Sequence, residues 1–413
     1  MRKWNNLWKS FISEQCLRES ASRETIEKIE TELVRVGGTP YIVGGAVRDE
    51  LIPGAPASKD IDFLVTGLPI ETIVAALRPL GKVDTVGKSF GVIIAKIDGE
   101  DFDIAIPRVG EKKVGEKHTD FEVQTDYRAP VEADLGRRDF TINAMAKDSS
   151  GNIIDNFGGQ EDIQNRIIRA VGNPLERFEE DSLRMLRAIQ FAVRFDFEIE
   201  EETANAIKKL KNKLVNISSE RILEEFKKAW SKGADNADRF IELLHGLEIG
   251  DLLFGENFRP IGVKIPGSKE DQILGSFISF FLAGGDFEKM RPTNEMKDSL
   301  LFARYLLTNN IIGWGSMERD KGKIPLIIEV FRQIGKKASD QNFLEVADEI
   351  EEALQLPLTV KSLSVGGGDI ARLGFKGKQI GEIQKAVLAA IHRQEIQNDR
   401  EEILDYIGNL YAH

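Results

Sequence analysis

Apolar residues recur along this chain in two different rhythms. From position 20 to 36 they fall at helical spacing, and Gly37-Gly38 ends the run. From Tyr41 onward, short apolar runs alternate with turn residues: YIVGG, IDFLV, FGVIIAKI and DFDIAI. These runs predict strands, with AVRDEL and PIETIVAALRPL as helices between the early ones and Asp98-Gly99-Glu100 as a hairpin turn. After GGQED the rhythm becomes helical almost to the C-terminus, as in DSLRMLRAIQFAVRF and ADRFIELLHGL, punctuated by Pro292, Pro325 and Gly366-Gly367-Gly368. No internal repeat or low-complexity tract interrupts it. The pattern predicts an α+β fold: a small mixed head ending near Asp155, then a long helical body.

Composition narrows this little. The 413 residues suffice for several cores, and 41% hydrophobic with 30% charged residues is ordinary for a globular protein. The opening MRKWNNLWKSFISEQ is too polar for a secretory leader and predicts a helical extension; no stretch approaches the length of a membrane helix. One cysteine, Cys16, excludes an internal disulfide framework and a Cys-rich zinc site, which points to the cytoplasm. The net charge of −12 argues against a positive coat, yet two islands are basic. Residues 206–232 hold eight Lys/Arg against three Glu, and residues 361–394 hold six against two acids. Each is either a solvated helix face or a track for a phosphate backbone.

Four stretches of the head carry candidate chemistry. In YIVGGAVRDEL, a strand ends at Gly44-Gly45 and a helix follows, which lets backbone N–H groups approach an anion, with Arg48 one turn on. In KDIDFLV, Asp60 and Asp62 share one face of a strand. Asp103, in DFDIAIPR, joins them if its strand pairs beside theirs; Asp101 is on the same face and is the alternative. Three clustered carboxylates demand cations, and hard oxygen ligands suit Mg²⁺. A solvated strand end is the plain alternative. In DLGRRDFTINAMA, Arg137 and Arg138 are suited to triphosphate oxygens and Asp139 to a ribose hydroxyl, or all three form a surface ion-pair cluster.

Beyond the head, RFEEDSLRMLRAIQFAVRF predicts a helix on which Asp181, Arg184 and Arg187 fall at i, i+3 and i+6 beside an apolar stripe. This is either an amphipathic helix with a salt bridge or a base reader. A carboxylate accepts the exocyclic amine of cytosine or adenine, and an arginine donates to the ring nitrogen or carbonyl beside it. Uracil and guanine mismatch both groups, which yields discrimination on the order of 10⁴ without a nucleic-acid template.

The stretches GGAVRDEL, DID, DIAIPR, DLGRRDFTINAMA, DNFGGQEDI and EEDSLRMLRA, in this order between Tyr41 and Arg194, resemble the class II tRNA nucleotidyltransferases, the CCA-adding enzymes related to bacterial poly(A) polymerases. GKQIGEIQKAVLAAIHRQEIQNDREEIL is similar to the tail of the bacterial members. The resemblance implies a DNA-polymerase-β-like nucleotidyltransferase head with a mixed sheet, then an all-α neck, body and tail. It implies an N-terminal extension over 1–36, a head over 37–160, a neck over 161–236, a body over 237–345 and a tail over 346–413. It implies addition of C, C and A to the tRNA 3′ end from CTP and ATP with Mg²⁺. By position, Asp60, Asp62 and Asp103 would hold metal, with Asp103 helping to activate the 3′ hydroxyl. Gly44, Gly45, Arg48 and Arg138 would contact the nucleotide, Asp139 its sugar, and Asp181, Arg184 and Arg187 its base. The basic islands would grip the acceptor stem and TΨC arm.

Three departures stand out. The stretch between Arg48 and Asp60 is longer than usual and carries Pro53 and Pro56. Gln190 stands where many members have another arginine. With four histidines and no His-Asp pair, the phosphohydrolase domain of some relatives is absent. A poly(A) polymerase shares the catalytic parts, but the acidic chain and VGKSFGV, where a polymerase typically shows an arginine-rich stretch, favour CCA addition. Enzymes adding only CC or only A differ in the loop after Arg108, and here Val109–Val131 is of near-full length. A catalytically dead RNA-binding relative would lack one of the carboxylates.

Overall fold

A computed structural model describes residues 23–410, apart from 56–57, 59, 85–90, 114–120, 231–236, 255–259, 285–292, 309–320, 355 and 357–359. Most of VGKSFGV, part of the 109–131 loop and the first 22 residues thus lie outside the described residues. The chain divides into two units between Leu210 and Lys211, inside the stretch expected as one neck.

The first unit is built on a mixed sheet. Its strands are β1 (Thr39–Val43), β2 (Ile61–Thr66), β3 (Gly81–Asp84), β4 (Val92–Ile97) and β5 (Glu100–Ala105), with β8 (Ala146–Asp148) and β9 (Ile153–Ile154) added at one edge. The hairpin β6 (Arg108–Lys113) and β7 (Phe121–Thr125) forms a separate ribbon. The order across the main sheet is β3-β4-β5-β2-β1-β8-β9. Within it only β2 and β5 run parallel; the other neighbours are antiparallel. The β4–β5 turn is Asp98-Gly99 alone, both at positive φ (51° and 87°), because Glu100 already pairs with Ile97.

Alternation along the strands divides the labour. Phe63, Val65, Ile93, Ala95, Phe102 and Ile104 are buried on one face, with the Phe63 and Phe102 rings 6.1 Å apart. A helix over 23–35 (α1) belongs to this unit: Ile29 and Leu33 are fully buried, and Thr25 and Lys28 both donate to Asp98 in the turn. The expected N-terminal extension is therefore, from residue 23 onward, part of the head. Helix α2 (Gly45–Leu51) follows β1, and α3 (Ile70–Leu77) packs on β3 and β4. On the other face Val43, Leu64, Val131, Leu135, Ala144 and Ala146 form a second cluster under α4 (Val131–Leu135).

Helices α5 (Gly159–Asn165), α6 (Pro174–Glu180), α7 (Leu183–Phe195) and α8 (Glu201–Leu210) complete the unit. Between them lies a two-stranded parallel pairing, Ile167–Ile168 with Glu198–Ile199, where a purely helical run was expected. The second unit is helical among the described residues, from Ser219–Trp230 to Arg400–Leu410. Its centre is aromatic: Trp230 meets Phe277 and Phe280 edge-on at 4.7 and 4.8 Å. Leu363, Val365, Ile370, Ile383, Val387, Ile391, Ile403 and Ile407 form a further cluster towards the C-terminus.

Leu33→Ala is expected to cost about 2–5 kcal/mol of stability, the usual range for emptying a closed core site. The denaturation midpoint of the purified protein measures it; an unchanged midpoint would show that α1 is a detachable appendage.

Candidate active site

Asp62 and Asp103 are direct register partners on the two parallel strands. Parallel pairing with matched alternation turns both side chains to the same face, the one occupied further along by Leu64 and Ala105. Asp62 is half-buried and Asp103 exposed. Asp60 precedes β2 by one residue and shares this face. Burial pushes the Asp62 carboxyl above its ordinary range, the charges of Asp103 and Asp60 push it further, and Arg138 pulls it back. Asp101, the alternative to Asp103, is exposed and lies 3.8 Å from Lys96. Among the described residues, no three His, Cys, Asp or Glu side chains form a cage able to hold an ion alone. The geometry is a close carboxylate pair with a third charge nearby. That donor set fits a hard cation whose remaining ligands come from substrate oxygens and water, the usual mode for Mg²⁺.

Beside the pair lies the glycine turn. Gly44 has φ 72° and ψ −123°, and its N–H donates to the Met145 carbonyl. That positive φ is what favours glycine here; a Cβ would also stand 2.5 Å from Arg138 Nη1 and displace that guanidinium. Arg138 is held by Asp134 Oδ2 at 3.3 and 3.2 Å and reaches the Asn143 carbonyl at 3.4 Å. The Arg-Arg-Asp run is thus no loose surface cluster.

Two of the expected nucleotide contacts are turned inward in this structure. Arg48 is only 4% exposed: its Nε and Nη2 donate to Asp49 Oδ1 at 2.8 and 2.7 Å, and its Nη1 to Asn143 Oδ1 at 2.5 Å. Asp139 is turned inward as well. Its Oδ1 accepts from the Phe140 N–H and Asn143 Nδ2, and its Oδ2 from Arg187 Nε at 2.8 Å. Burial alone would raise the Asp139 carboxyl, but Arg187, Asn143 and the Phe140 N–H outweigh it and hold it below its ordinary range.

The expected helix placement of Asp181 is corrected: it is not on the helix with Arg184 and Arg187. Its backbone is extended and its Oδ1 accepts from the Leu183 N–H, so it caps the start of α7. Arg184 donates to Glu180 Oε2 at 3.0 Å and to the Arg177 and Arg137 carbonyls, which sets it beside Asp181 at the helix start. Gln190 is buried, so this position presents no charge. Asp49, Asp134 and Asn143 were missed: their residue types carry no signal without knowing what they face.

Residues 40–169 match a family model described as the Poly A polymerase head domain, and residues 196–256 one described as Probable RNA and SrmB- binding site of polymerase A. The CCA-adding enzyme of Bacillus pumilus is 31% identical over 90% of this chain and 93% of its own length. That of a Geobacillus species is 33% identical over the same shares. The chain belongs to the CCA-adding enzyme family. Its fold is similar to that of the Bacillus stearothermophilus CCA-adding enzyme in complex with CTP (TM-score 0.66, 24% identity, covering 94% and 96% of the two chains). It is also similar to the Thermotoga maritima CCA-adding enzyme complexed with tRNA (TM-score 0.62, 22% identity, 92% and 94%). These likenesses identify the head as the α+β nucleotidyltransferase fold of the family.

Asp139→Asn is expected to cost about 3–5 kcal/mol near neutral pH, because it leaves Arg187 without its carboxylate. A carboxyl held below its ordinary value stabilises the fold fully above its unfolded pKa of about 3.9 and loses that contribution as pH falls through the lower folded value. The gap between variant and wild type should therefore begin to narrow below about pH 4 and go on closing as pH falls further, as measured by denaturant melts across pH.

Proposed function

We propose that this protein adds C, C and A to the 3′ end of tRNA from CTP and ATP, without a nucleic-acid template, releasing pyrophosphate. The observation that carries the reading is the Asp62–Asp103 pair on parallel strands beside the glycine turn. Family membership supports it, as does the likeness in fold to proteins crystallised with CTP and with tRNA. The polymerase head model covers parts that poly(A) polymerases share, whereas the relatives aligned over nearly the whole chain are CCA-adding enzymes. Among the described residues no helix is long and apolar enough to cross a membrane. We assign the reaction to the cytoplasm on the single-cysteine composition.

In this reading Asp62 and Asp103, with Asp60 beside them, hold Mg²⁺, which lowers the pKa of the attacking hydroxyl and stabilises the leaving pyrophosphate. The tRNA 3′ hydroxyl attacks the α-phosphorus of the nucleotide. A new P–O bond forms as the bond to the β-phosphate oxygen breaks, and Asp103 helps to take the hydroxyl proton. The side-chain-free Gly44-Gly45 turn lets the triphosphate approach the backbone, and Arg138 donates to it. Asp181 accepts the exocyclic amine of cytosine or adenine, while Arg184 and Arg187 donate to and stack on the base. Arg48 and Asp139 act from inside, by holding these groups. The basic islands at 206–232 and 361–394, in the proposed neck and tail, track tRNA phosphates.

Purified protein incubated with Mg²⁺ and tRNA lacking its 3′ end should add CC with CTP alone and CCA once ATP is present, as seen on sequencing gels. Poly(A) tails or no extension would reject the reading. Asp62→Ala should abolish transfer while tRNA affinity, measured by filter binding, stays within about threefold, since phosphate contacts elsewhere supply it. Arg184→Ala should relax selection against UTP by about tenfold or more, the size of one lost polar reader. Unchanged selection would mean that another surface reads the base.

A further inference from the structure

Two polar circuits, each an open chain of contacts, tie α7 to α2. In the first, Arg48 Nη1 donates to Asn143 Oδ1, Asn143 Nδ2 donates to Asp139 Oδ1 at 3.0 Å, and Arg187 Nε donates to Asp139 Oδ2. In the second, Asp49 Oδ1 holds Arg48 while its Oδ2 lies 3.6 Å from Arg194 Nη2. Between the circuits stand two rings of α7, Phe191 and Phe195, stacked at 5.9 Å and 5°. The Arg48 guanidinium lies 5.4 Å from the Phe191 centroid and 4.7 Å from that of Phe195. Arg187 meets the Phe191 ring at 5.2 Å, and Arg194 meets Phe195 at 4.7 Å. Residues 187, 191 and 195 are successive i, i+4 neighbours, so the whole inner stripe of α7 is gripped through Arg48.

Arg48 is the one guanidinium common to both circuits, and Asp49 is the group that orients it. Both of Asp49's oxygens are committed, and its side chain is 9% exposed. Neutralising it removes one carboxylate from a partly desolvated cluster of three arginines, while Asp139 stays paired with Arg187. The guanidiniums then repel, and the spacing between the Gly44 turn and α7 is no longer fixed.

We propose that Asp49 is a positioning residue for base selection: by clamping Arg48 and Arg194 around Phe195, it sets where α7 presents Arg184 and Arg187 to the incoming nucleotide. This rests on the nucleotidyl-transfer reading above and adds a residue that touches neither nucleotide nor metal.

Asp49→Asn keeps the size of the side chain and removes its charge. Relative to wild type, the preference for CTP over UTP should fall about tenfold, the size of coupling through one ion network. KM for CTP should rise, while kcat at saturating CTP and KM for tRNA stay within about threefold, because the Asp62–Asp103 pair and the tRNA surface are untouched. Asp49→Glu, which restores the charge, should recover part of the preference. Phe195→Leu leaves both circuits in place and removes the ring they clamp; it carries the same expectation and serves if Asp49→Asn does not fold. Equilibrium binding of CTP and UTP gives the same ratio without turnover, so a wild type that binds CTP selectively but transfers nothing counts against the transfer reading alone. An unchanged ratio in the folded variants, or an equal loss for every nucleotide and for tRNA, would overturn the role of Asp49.

Discussion

Two carboxylates held side by side on neighbouring parallel strands are the constraint on which the rest of the head depends. Register alone brings Asp62 opposite Asp103, and like charges at that separation are tolerable only with partial exposure and a cation at hand. The strands pay for this arrangement on their other face. Phe63, Phe102 and Ile104, each one residue from a carboxylate, are buried there. A period of two thus lets one pair of strands serve as core on one face and carry the paired carboxylates on the other. The same period makes register decisive: a one-residue slip of β5 would bury Asp103 and expose Phe102.

Around this pair the charges are arranged in sequence. Arg138 answers Asp62 electrostatically and is itself held by Asp134. Behind it, Asn143 joins Arg48 to Asp139, which holds Arg187 on α7. Buried ion pairs of this kind are weak evidence for stability, since desolvation opposes their attraction. Their geometric effect is the stronger one. Directional donors on planar guanidiniums fix angles as well as distances, and a base-reading surface needs both.

Much of the head was legible in the sequence because its long strands and helices are strongly periodic. IDFLV, VIIAKI and DFDIA announce themselves by alternation, and the Asp98-Gly99 turn by its residue types. What escaped was short: GKVD (Gly81–Asp84), the two-residue strands and the strands Arg108–Lys113 and Phe121–Thr125 carry too little alternation of apolar residues to leave a pattern. The reach of α7 was overread for a different reason. Helical periodicity continues through EEDSL, but Asp181 uses its carboxylate to cap Leu183, and the helix begins after it. The chemistry of Arg48 and Asp139 suits a nucleotide. The same chemistry suits a buried ion pair, and sequence does not say which side of a surface a charge occupies.

Gln190 shows how the inner network bears on the departure noted in the sequence. It lies on α7 between Arg187 and Arg194, three residues after one and four before the other, so all three share a stripe. Arg187 and Arg194 already share Asp139, Asp49 and the two phenylalanine rings with Arg48. A fourth guanidinium at this buried position would add a desolvated cation beside the three already present. A neutral amide at 2% exposure fills the site without that penalty. A neutral residue there thus suits the way this chain packs α7 against α2, and it leaves Arg184 and Arg187, with Asp181 at the cap, as the charged groups proposed to read the base.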